Sequence, residues 1–314
     1  MRRVVRGRAF YLAVTRRACD PSKLSSREVI GSSNSKGSIQ RDLNFLKAAF
    51  RTALKAASRA KRLVFLEVFS GSGGLSAAIR RRGCAALSLD IRLGRECDIT
   101  KKHVLSLIEG WLSGGCVAGL WLGTPCSSWS RARRGPPGSN WCCIRSREFP
   151  NGMPNLRPAD VARIALGNAT MLASARLIRA ARRSKTPCFL ENPSGSLLWD
   201  SPPIAKQVRE GGAVKTTFDF CQYGKPWRKR TVVMGWGVLP NPDLGRVCCG
   251  RRGLCSRTGA PHIQLSGTCA ANGQLWTRVA EPYPSSLCAR LADHLIASMI
   301  VGGLGGPESV GFGW

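Results

Sequence analysis

From residue 63 onward the chain alternates short apolar runs with longer segments of helical period: VFLEVF, GLSAAIRRR, CAALSLD, KKHVLSLIEGWL, VAGLWL, a long loop, DVARIALGNATMLASARLIRAARR and PCFLE. Unbroken apolar runs of this length suit strands buried on both faces, and helices between them carry the chain back to start the next strand in the same direction. The predicted fold is therefore α/β, a parallel sheet with helices on both faces. AVKTTFDF and RTVVMGW add two further strands, and YPSSLCARLADHLIASMIV reads as a closing helix. No internal repeat is visible. Ligands of such sheets bind beyond the carboxyl ends of the strands, so chemistry is to be sought there.

With 314 residues and 43% apolar content, the chain can bury one sizeable core plus a small appendage. Forty-eight Lys and Arg against eighteen Asp and Glu give a formal charge of +30. That self-repulsion exceeds what solubility needs and points to a polyanionic partner, nucleic acid first. Because the charge is spread along the chain, it supports phosphate affinity without implying sequence readout. Fourteen cysteines without a secretory segment suggest reduced thiols in an intracellular compartment, nuclear or cytoplasmic. LIASMIV is too short to cross a bilayer, and no membrane insertion is expected.

Residues 1–62 carry sixteen Lys and Arg against three acidic residues. This basic extension, partly disordered by composition, suits an organelle transit peptide, a nucleic-acid-binding arm or the remnant of a larger precursor. Within it, Leu43, Leu46, Phe50, Leu54 and Ala57 recur at helical spacing and predict a basic amphipathic helix. The expected units after it are a catalytic domain over 63–239, a small Cys/His-containing basic insert over 240–275, and a closing helix and tail over 276–314.

Two groups of residues carry chemistry. In FLEVFSGSGGLSAAIRRRG, a strand passes through Gly71, Ser72, Gly73 and Gly74 into a helix, so that backbone amides and the helix N-terminus can approach a ligand closely. The next strand ends on Asp90, placed to accept hydrogen bonds from ribose hydroxyls, and Asp98 follows at the tip expected for a third strand. Acids at successive tips suit a nucleoside cofactor without a pyrophosphate, such as S-adenosylmethionine, with a dinucleotide as the alternative. The second group is WLGTPCSSWS and PCFLENPSGSLLW, which place Cys126, and then Glu191 and Asn192, at strand ends. A thiolate adding to carbon 6 of cytosine makes carbon 5 nucleophilic, and a carboxyl group at ring nitrogen 3 assists that addition. The base must be unstacked to be reached.

Glu67 and FSGSGG, then Asp90, Asp98-Ile99, Pro125-Cys126, Glu191-Asn192 and QYGKPWRKR occur in the order of the cytosine-5 DNA methyltransferase motifs. The chain resembles that family over roughly residues 63–235, in a divergent branch of the phage, mobile-element or protist kind. The resemblance implies a Rossmann-like methyltransferase sheet with a small C-terminal recognition insert. It places Phe69, Gly71, Gly73, Gly74 and Pro125 at S-adenosylmethionine, Asp90 at its ribose, and Asp98 with Ile99 at its adenine. It makes Cys126 the covalent nucleophile, Glu191 its acid partner, and Arg228 or Arg230 the arginine that polarises the base. Ser127, Pro193 and Trp227 depart from the residues usual in the family at those places.

Two loops could engage nucleic acid, DNA in preference to RNA. Residues 130–158 hold Arg131, Arg133, Arg134, Arg145, Arg147 and Arg157 beside Trp129, Trp141 and Phe149, suited to phosphate contact and base stacking. Residues 241–269 stand where the family inserts its target-recognition region. Of Cys248, Cys249, Cys255, His262 and Cys269 there, the set Cys249, Cys255, His262 and Cys269 is the candidate for a structural zinc. His103 and His294 fall on helical segments and read as ordinary surface or packing residues. The expected activity is methyl transfer to carbon 5 of cytosine in DNA. RNA cytosine methylation and a catalytically silent nucleic-acid-binding relic stand as alternatives.

Overall fold

The structure, a computed structural model, describes residues 33–57, 63–130 and 142–302. The expectations for residues 1–32 and for Arg131, Arg133, Arg134 and Trp141 lie outside them. The elements run α1 (Ser33–Ala56), β1 (Val64–Val68), α2 (Gly74–Arg80), β2 (Ala86–Leu89), α3 (Lys102–Ser113) and β3 (Val117–Leu122). After them come α4 (Pro158–Arg183), β4 (Cys188–Pro193), α5 (Pro202–Glu210), β5 (Val214–Asp219), β6 (Arg230–Trp236), α6 (Trp276–Val279) and α7 (Ser285–Gly302).

The six strands form one sheet in the order β2-β1-β3-β4-β6-β5. Alternation within the strands divides the core. Val64, Leu66 and Val68 of β1 join Leu120 and Leu122 of β3 and the buried faces of α1, α3, α4 and α5. Phe65, Trp121 and Phe189 face the opposite way, onto α2 and α7. The result is a mixed α/β fold with helices on both faces of the sheet.

Two expectations are corrected. The sheet is not wholly parallel: β2, β1, β3 and β4 are, but β6 runs antiparallel to both β4 and β5. The segment between β5 and β6 holds only a 3-10 turn and a short extended stretch, too little for the crossover that a parallel pair requires. Nor is there a strand at CDIT. Two 3-10 turns, Ile91–Leu93 and Arg95–Cys97, lead into that stretch, Asp98 caps the second, and Ile99 and Thr100 form a turn. Asp90 and Asp98 bind nearby backbone amides with their own side chains, which favours turns over a ladder.

Helix α1 shows that the basic extension enters the core. Leu46, Phe50 and Leu54 are buried, and Phe50 stacks on Trp111 of α3 with ring centroids 4.0 Å apart. Buried Asp42 on the same helix accepts from Lys101 Nζ at 2.8 Å and lies 2.9 Å from His103 Nε2. His294 is buried, edge-on to Phe189. No helix among the described residues is long and apolar enough to cross a membrane.

Candidate active site at the carboxyl edge of the sheet

The turn after β1 is held in left-handed backbone. Phe69, Gly71 and Gly73 have φ of 58°, 52° and 67°, a region that glycine enters without the Cβ clash other residues suffer. Glu67, buried in the middle of the sheet, accepts from Ser76 N in the first turn of α2 at 2.7 Å, so a carboxyl group sits on the helix N-terminus. Burial nevertheless pushes its pKa up. Asp90 closes the cradle from β2: Oδ2 accepts from Gly71 N at 2.8 Å and Oδ1 from Arg92 N at 2.9 Å. Each oxygen keeps acceptor capacity for a diol. The glycines and Asp90 thus lie together as expected. Asp98 is occupied by Thr100, through N at 3.0 Å and Oγ1 at 2.7 Å, and the Ile99 side chain is buried in the core.

Cys126 and Glu191 come from the tips of β3 and β4, adjacent parallel strands in the centre of the sheet. Asn192, fully buried, ties the two tips by donating from Nδ2 to the Thr124 carbonyl at 2.7 Å. Thr124 is fixed in turn by a 2.7 Å hydroxyl contact with Ser174 of α4. The Cys126 carbonyl accepts from Trp129 N at 2.9 Å and Ser130 N at 2.8 Å, closing a tight turn that leaves the cysteine half-buried and Ser127 exposed.

Glu191 is buried, and its Oε2 accepts from Tyr283 Oη at 2.9 Å. Its other oxygen, Oε1, and Asn192 Oδ1 are buried without a hydrogen-bond partner among the described residues. Burial drives the Glu191 pKa up, against the pull of Lys229 and Tyr283, so the protonated acid is favoured. Burial also raises the Cys126 thiol, which Lys229 lowers and Glu191 raises further. Lys229, held by the Ala280 carbonyl at 3.1 Å, is thus the cation felt by both groups.

This corrects the arginine assignment. Arg230 pairs bidentately with buried Asp219, at 3.1 and 2.7 Å, and Arg228 Nε lies 3.5 Å from the same carboxylate. Asp219 and Arg230 are register partners across β5 and β6, and that pairing turns Arg230 toward the acid. Lys229, Tyr283 and the tie made by Asn192 were missed. An amine between two arginines, and a tyrosine far downstream, gave no local signal.

The loop after Cys126 is also corrected. Trp129 is fully buried and donates from Nε1 to the Gly167 carbonyl at 3.3 Å, so it offers no face to a base. Arg145 stacks 3.5 Å above the Trp129 ring centroid. It donates to Ser128 Oγ at 3.1 Å, Asn168 Oδ1 at 2.8 Å, and the carbonyls of Ile164 and Pro150. Burial lowers its pKa to about 10. It is a staple for the PCSSW turn, unavailable to phosphate. Arg157 is paired with Asp160 and Arg147 with Asp200 at 3.3 Å, but the Arg147 side chain is 76% exposed and, like Phe149, stays accessible.

The sulfur ligands differ from those expected as well. Cys221, Cys248, Cys255 and His262 gather with their ligand atoms within 4.8 Å of one another, a set compatible with zinc. Cys249 is exposed and Cys269 lies outside the group. Of the adjacent pair, Cys248 is buried and Cys249 exposed, and Cys221 stands just before the QYGKPW segment, twenty-seven residues upstream of Cys248.

No protein-family model matches the chain, and no curated protein does. Among solved structures, a methyltransferase of Entamoeba histolytica, EhMeth, is similar at 13% identity and a TM-score of 0.33, over 77% of this chain and 97% of that one.

Proposed function

We propose that the chain transfers a methyl group from S-adenosylmethionine to carbon 5 of cytosine in DNA, through a covalent adduct on Cys126. The observation that carries the reading is the pair at the centre of the sheet: a half-buried thiol on one strand tip, and on the next a buried carboxyl group whose Oε1 has no hydrogen-bond partner among the described residues. A cytosine in this cleft offers its ring edge to that oxygen. The glycine turn and the Asp90 carboxylate fit the cofactor, because the positive-φ glycines leave room where side chains would stand. When bound, the cofactor supplies an electrophilic methyl group.

Glu191, whose protonated form burial favours, donates its proton to ring nitrogen 3. The Cys126 thiol gives its proton to water and the thiolate adds to carbon 6: the sulfur–carbon bond forms, and the carbon 5–carbon 6 π pair becomes the nucleophile that takes the methyl group as the bond between that group and the donor's sulfonium sulfur breaks, leaving a neutral thioether. Loss of the carbon 5 proton to water then expels the thiolate, and the nitrogen 3 proton returns to Glu191, which restores the ring. Lys229 favours the thiolate, and Asn192 holds the cysteine turn at its distance from β4. The +30 charge supports a nucleic-acid substrate, with Arg147 and Phe149 as accessible contacts.

The test is nucleoside mass spectrometry after incubating the full chain with labelled S-adenosylmethionine and either DNA or RNA. The expected product is labelled 5-methylcytosine from DNA. Label appearing only in RNA would move the substrate, and label in neither polymer would sink methyl transfer.

A further inference from the structure

We infer that Cys221, Cys248, Cys255 and His262 form a tetrahedral zinc site that fastens the insert to the tip of β5. Zinc–sulfur bonds of about 2.3 Å put tetrahedral ligand atoms about 3.8 Å apart. Cys248 Sγ already lies 3.7 Å from His262 Nε2, and all four ligand atoms fall within 4.8 Å. Three thiolates and an imidazole are the donor set of a closed structural zinc site, with no position left for catalysis.

The surroundings are built for thiolates. Ser256 points N at 3.4 Å and Oγ at 3.5 Å to Cys248 Sγ, and Gln222 Nε2 lies 3.6 Å from Cys221 Sγ and 3.9 Å from Cys255 Sγ. Arg257 and Arg230 donate to the carbonyls of Cys221 and Cys248 at 2.6 and 3.3 Å, placing cations beside a group whose net charge with zinc is negative. Gly250 permits the tight turn, since a Cβ there would meet the Leu254 carbonyl at 2.0 Å.

Apart from these ligands the insert is held by its edge, where Leu265, Trp276 and Val279 pack half-buried against the core and Trp276 lies 6.0 Å from Trp227. From Gly245 to Val279 the buried residues are Cys248, Cys255 and Cys269 alone. Three cysteine side chains make no apolar core for a segment of that length, whereas an ion they share makes the ordering of the segment part of the binding equilibrium. Cys221 gives the site its meaning. It follows β5, two residues after Asp219, which binds Arg230 and accepts from Cys248 N at 2.7 Å. One ion therefore joins the insert to the β5–β6 pair that carries Lys229.

The inference is independent of methyl transfer, and its test reads metal. Full-length protein, purified under reducing conditions and dialysed against metal-free buffer, should retain one zinc per chain. Replacement by cobalt should give the visible bands of a tetrahedral thiolate site. Cys221→Ser and His262→Ala should weaken cobalt affinity by more than about 100-fold, and Cys249→Ser and Cys269→Ser should leave it unchanged. Because Cys221→Ser could fail to fold, the wild-type protein gives a second reading. Cys221, Cys248 and Cys255 should resist alkylation until a chelator is added and then react together, with Cys249 reactive throughout. Metal-free protein, a disulfide among the three cysteines, metal lost with Cys249 or Cys269 but kept without Cys221, or alkylation indifferent to chelator would each overturn it.

Discussion

At the tips of β3 and β4, polar groups are held by a core. Asn192, Thr124, Ser174, Ser128 and Arg145 are buried, and their hydrogen bonds link strands and helices that large apolar surfaces already fix. Between Gly245 and Val279 the order is reversed: almost every residue is partly or fully exposed, and a cysteine–histidine group, backbone turns and a few half-buried apolar side chains such as Leu265 and Trp276 do the holding. The first region can lose a reacting group and keep its shape. The second has no shape to fall back on once its ligands are released.

The largest expected effect breaks that comparison on the side of the sheet. Cys126→Ser should abolish adduct formation with a fluorinated cytosine analogue and reduce methyl transfer on the order of 10⁴-fold. Thermal melting should stay within about 2 °C of wild type, as expected for a half-buried side chain changed by one atom. Retained trapping would remove Cys126 from the mechanism.

Chelation should act on the other side alone. Hydrogen exchange read by mass spectrometry should show amides of residues 246–278 losing protection, while β1, β3 and β4 keep theirs. Equal loss in both regions would mean that the insert and the sheet form one cooperative unit.

Arg145 and Arg147 differ by burial within a single loop. Arg145→Ala should destabilise the protein by about 2–4 kcal/mol, through the stranded Ser128, Asn168 and carbonyl partners, as read by denaturant unfolding. Arg147→Ala should stay within about 0.5 kcal/mol and weaken DNA binding in a salt-dependent way. The reverse pattern would return Arg145 to the phosphate contacts.

The smallest effect has a worked sign. Burial raises the Glu191 pKa in the folded chain, so the unfolded chain releases its proton first as pH rises, and stability falls from the unfolded value upward. Glu191→Gln removes that loss while keeping an acceptor for Tyr283. It should therefore melt higher than wild type at pH 7, by about 2–4 °C per kcal/mol gained, with the advantage vanishing below about pH 4. Methyl transfer should fall at every pH. A variant less stable than wild type at pH 7 would show that Lys229 more than offsets the burial.

How much of this was legible follows from what each residue depends on. Strand tips could be read because apolar runs end where the sheet ends, so Gly71, Gly73, Asp90, Cys126 and Glu191 were found at one edge. CDIT looked like another tip because one isoleucine stood beside an acid, yet Asp98 spends its side chain on Thr100. The arginines of QYGKPWRKR rest on the family resemblance alone, and register pairs Arg230 with Asp219.

By itself the sequence determined the α/β layering, the core-facing side of α1, and the thiol and the carboxyl group at strand tips. These follow from apolar periodicity, which each segment carries within itself. Only the tertiary structure decided that β6 runs antiparallel, that Lys229 and Tyr283 attend Glu191, that Arg145 is a buried staple, and that Cys221 joins the insert's cysteines. Those partners are distant in sequence, and what selects them is burial, which leaves a polar group no partner but the one the fold brings to it.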